Sequence, residues 1–179
     1  MLVALLFKIE PSNWLGEMPW LQADDLQGDV LQDFRISNGN LSMFKMLATL
    51  NEDRIATALA ANRMILTDFG YVVCEEDELA DRGFEIKESV GHTHDDDVNQ
   101  CHVNLGRLTT DRVSELAKYI GDRIKNDADG NVRQIRKSKV KELIFGAITN
   151  GWISAESLRP ELAYALNIRE HLPCPEWCK

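Results

Sequence analysis

The sequence lacks the short motifs that most directly identify an activity. It has no GxxxxGK[ST] or GxGxxG phosphate-binding motif and no GxSxG nucleophile motif. Its four cysteines are too few and too scattered for a disulfide framework, so in a reducing compartment we expect them to stay thiols or to bind metal. The longest apolar run, residues 2–7, is far shorter than a membrane span and lacks the features of a signal peptide. These absences predict a cytoplasmic protein that does not associate with membranes.

Basic residues are also in deficit, because 20 Lys and Arg stand against 29 Asp and Glu, for a net charge of -9. This excess of negative charge opposes broad attraction to nucleic acids and to anionic membranes. With 44% hydrophobic and 27% charged residues, the composition is that of an ordinary globular protein. A chain of this length buries roughly 70% of its unfolded surface, so it needs neither a metal nor a disulfide merely to fold.

Five segments are typical of β-strands. The first, residues 1–10, is apolar almost throughout and predicts a buried central strand rather than a half-exposed one. The other four strand segments are residues 41–47, 66–74, 83–90 and 101–105. The acidic stretch between the third and fourth segments predicts a turn or a short helix.

Helical patterns follow two of these strands. Asn51 caps one helix, and Thr109 opens the clearest helix of the chain, whose apolar residues recur at helical spacing. Later in the chain, residues 133–149 predict a third helix that closes on an Asn-Gly stop. Ser154 then caps a shorter helix that runs to Leu166.

These elements predict an α+β fold. We expect a mixed or antiparallel sheet of about five strands with two covering helices, of which a ferredoxin-like arrangement is one form, and a C-terminal helical hairpin. A turn-rich run marks a boundary, so we predict a body at 1–128, the hairpin at 131–168 on the body or on a partner, and a tail at 169–179. The two strand-to-helix junctions match at an offset of 58 residues, which suggests a duplicated unit.

The most chemically suggestive segment is residues 91–102, which hold three of the four histidines. Imidazoles together with carboxylates bind zinc and other divalent transition metals. We predict His92, His94, Asp96 and His102 as candidate metal ligands, with Asp95 and Asp97 as alternative carboxylates. The other interpretation is a polar hairpin loop whose Asp and Asn side chains cap backbone amides and whose histidines face water.

The spacing of His92 and His94 resembles the first part of the HxHxDH signature of metallo-β-lactamase-type hydrolases. It departs from that signature at Asp97, which stands where the family has a histidine. Downstream, only His102 and His171 remain as further histidines. The resemblance therefore suggests metal chemistry without assigning the family.

Two further sets of residues are candidates for contacts. Trp14 and Trp20 lie in a long irregular stretch and either bind a partner or anchor that stretch onto the sheet. Near the end of the chain, His171, Cys174 and Cys178 offer three zinc ligands or belong to a frayed or docked tail.

Charge is unevenly distributed, since residues 75–97 contain ten acidic and two basic side chains. The sequence favours a small acidic protein that acts by protein–protein interaction or regulation rather than catalysis, with another protein or a second copy as partner. One alternative is a metal-binding protein or metal-dependent hydrolase that uses His92, His94 and His102. A further alternative is an acidic mimic of nucleic acid, which requires a regular surface array of carboxylates.

Overall fold

The computed structural model describes residues 4–9, 14, 34, 36–47, 50–127 and 130–168. The strands are β1 (Ala4–Ile9), β2 (Leu41–Met46), β3 (Phe69–Glu75), β4 (Glu85–Glu88), β5 (His102–Gly106) and β6 (Val132–Ile135). The helices are α1 (Glu52–Ala61), α2 (Glu76–Asp81), α3 (Asp96–Asn99), α4 (Thr110–Lys125), α5 (Lys137–Thr149) and α6 (Pro160–Ala165). The fold is therefore α+β, as the sequence predicts, and no helix of the described ranges is long and apolar enough to cross a bilayer.

The six strands form one sheet in the order β4-β5-β2-β1-β3-β6, and every neighbouring pair is antiparallel. Strand β1 lies between β2 and β3, which confirms the prediction of a central strand. Leu5 faces one hydrophobic core and Leu6 faces the other, and neither is exposed to solvent. The apolar run of β1 is continuous because helices cover both faces of the sheet at this strand.

Two crossovers explain why the helices divide between the faces. The chain passes from β2 through α1 to β3, and later from β5 through α4 to β6. Both crossovers move in the same direction across the sheet, but β5 runs antiparallel to β2. Crossovers that share one hand must then place their helices on opposite faces. Ile55 of α1 and Leu116 of α4 indeed lie in different cores, which differs from a ferredoxin-like sheet with both helices on one face.

The junctions that match in sequence at an offset of 58 residues are the starts of these two crossovers. On the α1 face, α5 packs against α1, so the C-terminal segment lies on the sheet. The division of the chain into a body and a hairpin stays a prediction.

The sequence pattern does not predict strand β6, because it indicates a single helix over residues 133–149. The structure corrects this: Val132–Ile135 pairs with β3, and the helix begins at Lys137. Arg136 is extended, and Asp68 accepts a hydrogen bond of 2.8 Å from the Lys137 amide. A residue far away in sequence thus accepts a hydrogen bond from a backbone amide in the first turn of α5, and no local sequence pattern could reveal this contact.

The helix predicted from Ser154 to Leu166 is also wrong as a single element. Ser154 does cap a turn, but that turn is a 3₁₀ helix at Ala155–Ser157, and α6 begins at Pro160. Proline disfavours helical geometry in the residue before it, and Arg159 is accordingly extended. Proline at the first position of a helix costs no hydrogen bond, which explains the restart at Pro160.

The α1 face of the sheet is only partly covered. Crossover helix α1 contacts β2 and β3 and thus leads away from β5. Ser42 of β2 and Asn104 of β5 are paired across the ladder on this face, and Ser42 is exposed while Asn104 is half-buried. The fold therefore leaves a concave polar region beside α1.

The division into two cores predicts a large loss of stability from a single truncation in α4. Leu116 is fully buried, so Leu116→Ala should lower the free energy of unfolding by about 2–5 kcal/mol. The matched control, Asp122→Ala at an exposed position of the same helix, should change it by less than about 0.5 kcal/mol. Urea denaturation followed by circular dichroism measures both values, and equal effects would contradict the assignment of Leu116 to the core.

Candidate ligand pocket

The loop between β4 and β5 is ordered by one buried carboxylate. Asp95 is only 1% exposed, and its side chain accepts hydrogen bonds from the backbone amides of Asp97 and Val98, at 3.0 and 3.3 Å. These bonds cap the short helix α3. Thr93 and Asn99 close the loop further, since the Thr93 amide donates to Asn99 Oδ1 at 2.6 Å. The sequence segment with the two histidines is therefore a structured polar loop.

Arg54 of α1 forms an ion pair with the buried carboxylate of Asp95. Its Nε donates to Asp95 Oδ2 at 2.7 Å and its Nη2 donates to Asp95 Oδ1 at 2.9 Å. Nη2 also donates to Asp97 Oδ2 at 2.6 Å, and the guanidinium lies 4.8 Å from the ring centroid of Trp152. The bond to Asp95 is the largest influence that raises the pKa of Arg54. No local pattern in the sequence points to Arg54, because it lies 41 residues from Asp95.

His102 is nearly buried on β5 and has two ordered neighbours. Its Nδ1 lies 2.7 Å from Ser89 Oγ, and its ring stands edge-on to Phe44 with the centroids 5.0 Å apart. Burial lowers the pKa of His102, and the nearby His92 lowers it further. At neutral pH the ring is therefore uncharged and presents both a donor and an acceptor.

The predicted metal ligands do not converge. His92 and His102 line the same pocket, whereas His94 and Asp96 do not line it. Burial and the charge of Arg159 lower the pKa of His94, and Asp96 is exposed in the first turn of α3. Among the described residues, no three His, Cys, Asp or Glu side chains are placed to hold a metal ion. Metal binding by this segment stays a prediction.

The other candidate residues divide between the described and undescribed parts of the chain. Trp14 is fully buried in the α4-side core and meets Phe34 edge-on, with ring centroids 5.9 Å apart. Partner binding by Trp14 stays a prediction. Trp20 and the cluster of His171, Cys174 and Cys178 lie outside the described residues.

A pocket of about 430 Å³ occupies the open part of the α1 face. Its lining is dominated by uncharged polar side chains. The lining residues are Ser37, Asn40, Ser42, Phe44, Leu59, Asn62, Ser89, Val90, His92, Thr93, His102 and Asn104. None of these described lining residues is Asp, Glu, Lys or Arg, although the chain as a whole carries a net charge of -9. We call this cavity the polar pocket.

Two contacts hold the wall of the polar pocket in place. Asn62, at the end of α1, donates from Nδ2 to the backbone oxygen of His92 at 2.8 Å. Gly91 approaches the sheet so closely that a Cβ atom there would lie 3.0 Å from Asn99 Oδ1 and 3.1 Å from the Cβ of His102. A larger residue at Gly91 would therefore displace His102 or the loop. The helix, the loop and β5 thus fix the pocket together.

We predict that Asp95 and Asp96 differ sharply in importance. Asp95→Ala removes the partner of Arg54 and the cap of α3, so it should lower the free energy of unfolding by about 3–5 kcal/mol. Asp96→Ala, at the exposed neighbouring position, should lower it by about 1 kcal/mol or less. Urea denaturation of both variants at neutral pH measures the difference. A destabilisation by Asp96→Ala as large as that by Asp95→Ala would contradict the role given to the ion pair.

No protein-family model, no curated protein and no solved structure matches the chain. The resemblance to the HxHxDH signature is also limited by the geometry, because Asp97, at the last position of the signature, pairs with Arg54.

Proposed function

We propose that the protein acts by binding a small, uncharged polar molecule in the polar pocket. The observation that carries this proposal is the lining itself, in which hydroxyl, amide and imidazole groups surround a cavity of about 430 Å³ without a carboxylate, lysine or arginine. Pockets for small molecules commonly measure roughly 300–1,000 Å³ and contain a few converging polar groups. The proposal retains action by binding, which the sequence favours over catalysis.

The chemistry of the lining selects against charged ligands. An ion that enters a site loses hydration, and it recovers that loss only when an opposite charge meets it. The polar pocket offers instead both donors and acceptors, since each hydroxyl and each amide supplies both. Hydroxyl and amide groups of a ligand match such a site, while Phe44, Leu59 and Val90 supply apolar contact surface.

The two sequence-based alternatives have less support from the described residues. A metal-dependent enzyme would need ligands besides His92 and His102, and no Asp, Glu, Cys or further His among the described residues lines the pocket. A nucleic-acid mimic would need free carboxylates in a regular array, but several acidic side chains of residues 75–97 form ion pairs. These pairs include Glu76 and Glu88 with Lys45, Glu78 with Arg123, and Asp95 with Arg54.

The proposal is tested by titrating isotope-labelled protein with small probes and following backbone amide shifts by NMR at neutral pH. The uncharged probes are methyl β-glucoside, uridine and N-acetylglycinamide, and the charged probes are inorganic phosphate and tetramethylammonium. We expect saturable shifts at Ser89, Thr93 and Asn104 with at least one uncharged probe and none with the charged ones. Asn104→Leu should weaken the binding by about tenfold, which corresponds to about 1.4 kcal/mol.

The matched control is Asp122→Leu, which removes a polar side chain from an exposed position of α4, on the face of the sheet opposite the pocket. It should leave the affinity unchanged. Binding of a charged probe in preference to every uncharged one, or no saturable shift at the pocket with any probe, would overturn the proposal.

A second copy of this chain is a second candidate partner, and the supporting observation is the outer edge of β6. No strand of the described residues pairs with that edge, and Arg133 and Gln134 are exposed on it. The opposite edge, β4, carries three charged residues in four positions, whereas Arg133 is the single charged residue of β6. Such dense charge is typical of a guarded edge. Pairing of β6 with its copy would continue the sheet.

For such a homodimer we expect the mass measured by light scattering to rise from monomer to dimer with protein concentration. Hydrogen exchange at Val132–Ile135 should slow over the same range, because new inter-strand bonds protect the amides. Exchange at Glu85–Glu88 serves as the internal control and should not change. A monomer at all concentrations would rule out this candidate.

A further inference from the structure

A second, smaller cavity adjoins the polar pocket. It measures about 170 Å³ and is lined by Leu6, Phe7, Lys8, Leu41, Ser42, Phe44 and Leu59. Three of these residues, Ser42, Phe44 and Leu59, also line the polar pocket. The two cavities are therefore neighbours along β2 and α1, with a shared wall. We call the smaller one the apolar cavity.

The two cavities differ in chemistry. The polar pocket contains asparagine, serine, threonine and histidine side chains, whereas the apolar cavity is lined mainly by leucine and phenylalanine. Lys8 is the one charged residue among the described residues that line the apolar cavity, and it is half-buried. On the α1 face, Leu6, Phe44 and Leu59 give this cavity an apolar wall. The apolar cavity therefore accepts a hydrocarbon group.

We propose that the molecule bound by this protein is amphipathic, with an uncharged polar head in the polar pocket and a short apolar tail in the apolar cavity. This inference rests on the function proposed above. Phe44 and Leu59 face both cavities, so they form a continuous apolar path from the head to the tail. A ligand without a tail would leave this path in contact with water.

The size of the apolar cavity limits the tail. A volume of about 170 Å³ corresponds to roughly six water-sized groups of about 30 Å³ each. This is room for a chain of about four to six carbons or for a comparable branched group. Each methylene that moves from water into an apolar site tightens binding by about fourfold at most. Chain length should therefore affect affinity up to a limit and not beyond it.

The test compares methyl, butyl, hexyl and decyl β-glucoside, each below its micelle concentration, by amide shifts in NMR titrations. We expect affinity to rise at least tenfold from methyl to hexyl and to level off at decyl. The longer probes should add shifts at Leu41 and Lys8 to those at Ser89 and Asn104. Lys8→Tyr, which fills the apolar cavity without touching the polar pocket, should abolish the gain from chain length and retain the methyl glucoside affinity.

The matched control is Asp122→Tyr, an equally large substitution at an exposed position of α4 outside both cavities. This variant should show the same increase in affinity with chain length as the unmodified protein. If methyl glucoside binds but affinity does not rise with chain length, the inference of an amphipathic ligand is wrong, while the function proposed for the polar pocket is unaffected. If affinity still rises with chain length in Lys8→Tyr, the tail binds elsewhere and the inference is wrong. If none of the glucosides causes amide shifts at either cavity, the inference is wrong as well.

Discussion

The buried ion pair between Asp95 and Arg54 is the interaction on which the site depends. A carboxylate with a side chain only 2% exposed is tolerated because a guanidinium and two backbone amides satisfy it. The pair joins the N-terminal turn of α1 to the loop between β4 and β5. At the other end of α1, Asn62 binds the same loop through the His92 carbonyl. The helix and the loop are thus held at two points, and the polar pocket lies between them and the sheet.

The topology of the sheet explains why a pocket exists at this place. Because the two crossovers share a direction and start from antiparallel strands, their helices cover opposite faces. The first crossover spans β2 to β3, so α1 leads away from β5, and the polar side chains of Ser42 and Asn104 stay accessible. A polar group on a covered part of the sheet would need a buried partner, whereas here it can serve a ligand. The open part of the face is thus compatible with binding.

The electrostatic character of the pocket contrasts with that of the molecule. Much of the acidic segment is neutralised locally, as Lys45 meets Glu76 and Glu88, while Arg123 meets Glu78. The neutral lining and the adjoining apolar cavity together favour recognition by hydrogen bonds and apolar contact rather than by charge. Such recognition depends on the shape of the ligand and on the pairing of every polar group, which favours an ordered wall.

The sequence by itself determined the fold class and most elements, because many strands and helices can be recognised from the pattern of a few neighbouring residues. The central strand, the cap at Asn51 and the helix from Thr110 were all predicted from patterns within a few residues. Only the tertiary structure decided that residues 132–135 form strand β6, because that strand pairs with β3. It likewise decided where α5 begins, because Asp68 accepts a hydrogen bond from the Lys137 amide. The same holds for the site: the histidine-rich loop was visible in sequence, but its role was not. Arg54, 41 residues away, engages Asp95, and the packing of α1 beside β5 creates the pocket. Hydrogen bonds between distant residues leave no periodic trace in a single sequence, and so the chain alone could not reveal them.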